Sequence, residues 1–338
     1  MFANKKNMGS IRGAAGKSKK RISGTNAIVV VFLLIFAVIF FAFTQILDVD
    51  DDNDTAPTTA STKEILIQSQ DNNAEEVFTL AAKESLGFFE DMPETAWRRL
   101  KERFQLTQPN YNTNRKERER HTRYPHYYFA GNFEPEFTCL HEERFGGLGD
   151  GGKWICDPHR IVTETKKSCL VYSVGCNGKT QFESAVIKRI SPECEIHVFD
   201  IVGSGRRINF TEAVEGVGGK FHHWGIGYEG TLKPLKDTIE ELGHSGKIID
   251  ILKIDCEGCE YKSFKKWIDD WKATGVTVRQ FLIELHGTHM TFPEDTEFYS
   301  ELQKLGYVLF HKEANYINQA GAIEVAFILL STEFQHND

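Results

Sequence analysis

Residues 167–200, KSCLVYSVGCNGKTQFESAVIKRISPECEIHVFD, decide the fold. Cys169 to Val174 is a short apolar, β-branched run, and Gly175-Cys176-Asn177-Gly178 follows with residues that tolerate positive φ where a side chain would block backbone approach. Phe182, Ala185, Val186 and Ile190 then recur at helical spacing. That spacing predicts a helix from near Lys179, one face on the sheet and its N-terminus toward the turn, an end that favours an anionic group. Glu195 to Phe199 reads as a second strand. Asp200 stands at its carboxyl end, where an acidic side chain can accept hydrogen bonds from two ribose hydroxyls. The stretch is a βαβ unit suited to a nucleoside.

The turn has G-x-x-G and lacks the full G-x-G-x-x-G that pyrophosphate contact requires, and a plain strand-to-helix turn would read the same way. A ligand with a ribose and a carboxylate but no phosphates, such as S-adenosylmethionine, needs less of the glycine pattern. Farther along, Lys220 to Trp224 predicts a third strand, with Trp224 either facing the nucleobase or filling the core. Pro234 to Leu242 predicts a helix. Ile248 to Asp255 (IIDILKID) is a run of the kind found in strands covered on both faces, followed by Cys256-Glu257-Gly258-Cys259-Glu260 and a helix. Asp255 and Glu257 can share a direction at that strand end, and two carboxylates there are costly unless used or paired. Val278 to Leu285 repeats the design, placing Glu284 and His286 at the next strand end. Glu294 to Leu305 predicts a helix. Gly306 to His311 and Ala322 to Leu330 predict a final antiparallel pair, because the loop between them is too short for a helical crossover.

The N-terminal part has a different character. Residues 27–47 form an apolar run long enough to cross a bilayer, with Lys5, Lys6, Arg12, Lys17, Lys19, Lys20 and Arg21 before it and Asp48, Asp50, Asp51, Asp52 and Asp54 after it. The positive-inside rule puts residues 1–26 in the cytosol and the bulk of the chain in the secretory lumen or outside the cell. A cleaved signal peptide fits less well, since no small-residue site follows the apolar core. Residues 48–73 read as a flexible stem, 74–123 as short helices that pack on the main domain plus a basic connection, and 124–338 as the catalytic domain. Asp91 is the expected cap of the second helix. Asn53 and Asn209 begin glycosylation sequons.

Setting aside the seven tail cations leaves 33 Lys and Arg against 48 Asp and Glu, a formal balance of −15, which argues against nucleic acid as a partner. The seven cysteines all follow the apolar run, so at least one disulfide is expected and one thiol is left over. Cys139 and Cys156, flanking a glycine-rich loop, are the preferred pair. With His141 and His159 they offer an alternative, irregularly spaced zinc set, and no metal is otherwise called for. Cys256-x-x-Cys259 invites a redox reading, but small residues at a tight turn explain it as well.

Val171 to Gly178, Phe199-Asp200, Leu252 to Glu260 with its K-I-D-x-E-G-x-E, Leu282 to His286, and Asp150-Gly151-Gly152-Lys153-Trp154 together resemble FkbM-type class I methyltransferases. The likeness is closest to the membrane-anchored methyltransferase-like proteins of eukaryotes and covers roughly residues 135–330. It implies an α/β, Rossmann-like class I methyltransferase fold, a seven-stranded sheet with six strands parallel and the last antiparallel, helices on both faces, and one preceding transmembrane helix. It implies S-adenosylmethionine as cofactor, with Gly175, Asn177 and Gly178 at its methionine end and Asp200 at its ribose. Asp255, Glu257 and His286 would face the reacting centre, one of them as general base. Where many members carry an acid this chain has Ser173, and Lys179 replaces their second turn glycine. The expected activity is O-methylation of a hydroxyl-bearing lumenal or secreted acceptor, such as a glycan, in the Golgi or another secretory compartment. A non-catalytic scaffold that kept the fold is the alternative. A glycosyltransferase is a further one, but Asp52-x-Asp54 lies in the stem, where it cannot serve as a metal site.

Overall fold

The computed structural model describes residues 79–109, 111, 131–148, 150–201, 209–286, 292–315 and 319–336. The tail, the apolar run at 27–47, the stem, the Asn53 sequon and the basic stretch at 115–123 lie outside them. Among the described residues no helix is long and apolar enough to cross a membrane.

A hairpin of β1 (Glu142–Phe145) and β2 (Lys153–Cys156) precedes the main sheet. The sheet comprises β3 (Leu170–Val174), β4 (Glu195–Phe199), β5 (Lys220–His222), β6 (Ile248–Ile254), β7 (Thr277–His286), β8 (Tyr307–Asn315) and β9 (Gln319–Leu329), in the order β5-β4-β3-β6-β7-β9-β8. The pairs from β5 through β7 are parallel, and β9 runs antiparallel to both β7 and β8. Six strands thus share one direction and the last is reversed, as the family resemblance implies. The order reverses between β3 and β6, so their carboxyl ends open a crevice where a ligand can enter.

The continuous apolar runs follow from covering both faces. Along β6 and β7, Leu252, Ile254, Phe281 and Ile283 face a layer containing α5 (Leu235–Glu241), α6 (Glu260–Thr274) and α7 (Phe292–Lys304), while Ile251 and Leu282 face the other side. That second layer holds α1 (Leu80–Glu84), α2 (Glu94–Leu106), α3 (Gln181–Arg189) and α4 (Phe210–Glu215), with Trp97, Phe104, Phe182 and Val186 in its core. The two N-terminal helices therefore belong to the same compact unit, Asn73–Asp338. Asp91 does not cap α2: the N-cap position is Pro93, with no side-chain cap, and Asp91 instead pairs with the Arg160 guanidinium, a charged partner that outcompetes backbone amides. Asn209 is exposed and caps α4 through Glu212 N.

Three disulfides close: Cys139–Cys156 as expected, Cys169–Cys194 joining the starts of β3 and β4, and Cys256–Cys259. The first removes the zinc set, since its two sulfurs are already bonded to each other. Cys176 remains as the buried free thiol.

Near the β5 edge a buried histidine group forms away from the crevice. His197 Nδ1 lies 2.8 Å from His222 Nε2, its Nε2 lies 3.1 Å from Glu195 Oε1, and the Tyr172 hydroxyl lies 2.7 Å from His244 Nδ1. Burial depresses all three histidines, His197 to about 4. The unfolded chain, with ordinary histidines near pH 6.5, then binds more protons between about pH 6.5 and 4. Their contribution to stability is present above that window and is lost as pH falls through it. Guanidinium unfolding at pH 7 and pH 5 should show a loss that is smaller by about 1–2 kcal/mol in His197→Gln. An identical pH dependence in the variant would exclude His197 as a source.

Candidate functional site

The carboxyl ends of β3, β4 and β6 surround a cavity of about 320 Å³, within the range of small-molecule sites. The glycine turn forms one wall, because Gly175 at φ +76° must pass so close to β6 that a Cβ there would lie 1.7 Å from the Asp255 carbonyl oxygen. No other residue fits. Asn177 at φ +51° and Gly178 at φ +75° complete the turn, and of these Asn177 lines the cavity. The helix begins at Gln181, two residues later than the spacing predicts. Lys253 Nζ, on β6, donates to Gly175 O at 3.0 Å and locks turn to strand.

Asp200 lines the same cavity and does more than its position alone predicts. Its Oδ2 accepts from the Cys176 and Asn177 amides at 2.9 and 2.6 Å, while Oδ1 has no hydrogen-bond partner among the described residues. One oxygen therefore orders the turn and the other is available to a ligand. Trp224 is not brought to the cavity. It sits over Thr238, donating to its hydroxyl at 3.3 Å, beneath the Lys233 ammonium, and Ile201, Ile226 and Leu232 form the apolar wall instead. Ser173 Oγ donates to Glu183 Oε1, on α3, at 2.5 Å, and both residues are fully buried. The mouth is bridged by Lys179 Nζ to Asp150 Oδ2 at 2.6 Å.

Beyond the turn, Asp255, Glu257 and His286 come together. His286 Nε2 lies 4.0 Å from Asp255 Oδ1 and 3.4 Å from Glu257 Oε2. Glu257 adopts φ +56°, a conformation unusual for a side-chain-bearing residue, directly before Gly258. Glu260, the last acid of the K-I-D-x-E-G-x-E stretch, is buried behind them. Its Oε1 accepts from both the backbone N–H and Nδ1–H of His286, at 2.8 and 2.9 Å, and its Oε2 accepts from Gly258 N at 2.9 Å. Burial alone would lower the His286 pKa, but the Glu260 bond and the nearby Glu284 and Asp255 charges raise it to about 9. Asp255 is raised by burial and lowered more by the Lys153 and Lys253 ammoniums, so it is held below its ordinary value.

Sequence reading missed Lys153. It is 1% exposed, yet its Nζ lies 2.8 Å from Glu324 Oε1, 3.5 Å from Asp255 Oδ2 and 3.8 Å from Glu284 Oε2. The placement follows from β2 lying across β7, where Gln280 bonds both backbone groups of Cys156 at 2.8 and 2.7 Å. Burial works against the charge on Lys153, but three carboxyl groups hold its pKa well above the ordinary value. Burial, Glu324 and Asp255 in turn push Glu284 up to about 8. The lysine in DGGKW was the available signal, but its partners lie as many as 171 positions away.

Residues 79–329 match a family model described as a methyltransferase domain. The chain belongs to that family. No curated protein matches it. Among solved structures the methyltransferase domain is similar to a Methanococcus jannaschii fibrillarin pre-rRNA processing protein, at 8% identity over 57% of this chain and 84% of that one, with a TM-score of 0.34. It is similar also to M. capricolum TrmK in complex with S-adenosyl-homocysteine, at 10% identity over 52% and 67% of the two chains, with a TM-score of 0.34. A human methyltransferase 10 domain containing protein follows at 12% identity over 48% and 71%, with a TM-score of 0.29. Likenesses this loose say nothing of the substrate.

S-adenosylmethionine is the cofactor of the methyltransferase domain, and the residues present fit it. Gly175 leaves room for close backbone approach, Asp200 Oδ1 offers an acceptor for a ribose hydroxyl, and Ile201, Ile226 and Leu232 offer an apolar wall for a base. The domain's integrity depends on Lys153. Lys153→Met should reduce unfolding free energy by about 3–5 kcal/mol, the scale for stranding a buried charge. Adding Glu324→Gln should recover part of that loss in guanidinium unfolding, and full independence of the two changes would show that they do not form one unit.

Proposed function

We propose that the protein is an FkbM-type O-methyltransferase, related to the membrane-anchored methyltransferase-like proteins of eukaryotes, acting on a hydroxyl-bearing lumenal or secreted acceptor, with a glycan as the leading class. One observation carries the reading: the Gly175–Asp200 wall and the Asp255–Glu257 pair line the same cavity, so a cofactor held by the first presents its far end to the second. S-adenosylmethionine supplies a methyl group on a positively charged sulfur.

Gly175, Asn177 and Gly178 shape the wall at the methionine end, and Asp200 Oδ1 holds the ribose. Asp255 and Glu257 orient the acceptor hydroxyl, and one of them receives its proton as the oxygen–methyl bond forms and the sulfur–methyl bond breaks. His286, fixed by Glu260, positions both carboxylates. The address rests on the 27–47 apolar run as a single-pass anchor with a cytosolic N-terminus, facing the domain to the lumen of the Golgi or another secretory compartment. Three closed disulfides favour such an oxidising setting. The formal balance of −15 beyond the tail disfavours nucleic acid as the acceptor.

The engagement of Asp200 Oδ2 with the turn amides favours a second reading, a scaffold that kept the fold without using the cofactor. Calorimetry separates the two. Titration of S-adenosylmethionine into the protein should give saturable binding, weakened by about 1–3 kcal/mol in Asp200→Asn, the scale of a lost charged hydrogen bond. No binding to the folded, oxidised protein would favour the scaffold. Binding without transfer of labelled methyl to any glycan or secreted-protein hydroxyl would remove the acceptor assignment.

A further inference from the structure

We propose that Asp255, Glu257 and His286 form a binding site for a divalent cation of the Mn²⁺ kind, at the acceptor end of the cleft. One oxygen or nitrogen from each residue lies within 4.8 Å of the other two, with His286 Nε2 at 3.4 Å from Glu257 Oε2 and 4.0 Å from Asp255 Oδ1. Ligand atoms bound at about 2.1 Å to one ion stand roughly 3–4 Å apart, so small side-chain adjustments bring all three onto it.

The histidine gives the independent indication. His286 is 6% exposed, and the Glu260 carboxylate takes its Nδ1–H, while no hydrogen bond reaches Nε2 among the described residues. The ring is therefore fixed with Nε2 aimed between the two carboxylates, and an ion bound there takes the place of the proton that the surrounding acids favour on the ring, so binding releases that proton. A buried carboxylate behind the far nitrogen is the arrangement that orients metal-binding histidines. Asp255 is divided in the same sense. Its Oδ2 belongs to Lys153, and Oδ1 is the oxygen that faces His286.

The donor set selects the ion. Two carboxylates and one imidazole suit a first-row divalent ion such as Mn²⁺ better than Mg²⁺, which takes oxygen ligands, and the nearest sulfurs, Cys256 and Cys259, are closed as a disulfide and offer no thiolate. The Glu257 side chain is 85% exposed, so the remaining coordination positions open to the cleft as in catalytic rather than structural sites. An acceptor with two adjacent oxygens could occupy them, and a hydroxyl so bound is more acidic. This use rests on the methyl-transfer reading; binding of the ion does not.

The test is a Mn²⁺ titration of the chelator-treated full-length protein without cofactor, read by electron paramagnetic resonance. One saturable site per chain is expected, weakened at least tenfold in both Glu257→Gln and His286→Gln and unchanged in Glu229→Gln, an exposed acid elsewhere. Glu257 is exposed enough that its variant keeps the fold, which thermal melts would verify. Absence of a saturable site, or a site that survives in Glu257→Gln, would overturn the proposal. S-adenosylmethionine calorimetry on the same preparation keeps the two readings apart: cofactor binding without Mn²⁺ binding removes only the ion.

Discussion

The Lys153 ammonium sits where β2 crosses the sheet, and three carboxyl groups from β7, β9 and the end of β6 converge on it. Each of those groups would be expensive to bury alone. Gathered around one cation they are tolerable, and they tie the hairpin to the sheet at the point where the cleft begins. Glu284 keeps its proton more readily than an ordinary carboxyl because it is buried and because the cation cannot balance all three acids. Asp255 stays ionised because two lysines face it. The charge on the reactive side of the cleft is thus set by a residue that does not line the cavity.

A second constraint is steric. The turn at Gly175 and the strand end at Asp255 meet backbone to backbone, with the Asp255 amide donating to Val174 O at 3.0 Å, and the Lys253 side chain reaches back to Gly175 O. Because β3 and β6 are held this closely, Asp200 and Asp255 necessarily open onto one cavity. The Ser173–Glu183 pair serves the same neighbourhood by bringing a buried carboxylate from α3 against β3.

Much of this was legible in the chain. Strands read correctly because a buried parallel strand leaves a continuous apolar run, and α6 read correctly because Tyr261, Phe264, Trp267, Ile268 and Trp271 keep helical spacing. Trp224 stayed open between its two readings because a strand-end tryptophan looks the same whether it faces a ligand or a neighbouring helix, and the fold packs it against the core. Asp91 misled because capping is a local preference, and a guanidinium from Arg160, 69 positions away, prevailed over it.

By itself the sequence determined the strands of the main sheet and most of its helices, the glycine turn, the acid after β4, the Cys139–Cys156 pair and the methyltransferase class, since each depends on neighbours a few residues apart or on a contiguous motif; the β1–β2 hairpin and α4 it did not show. Only the tertiary structure decided that Glu260 fixes His286, that Asp200 spends one oxygen on its own turn, and that Lys153 serves three acids. Those outcomes depend on which side chains meet across the sheet once solvent is excluded. Pairing in a dry interior is chosen by geometry and charge, and no local pattern along the chain records it.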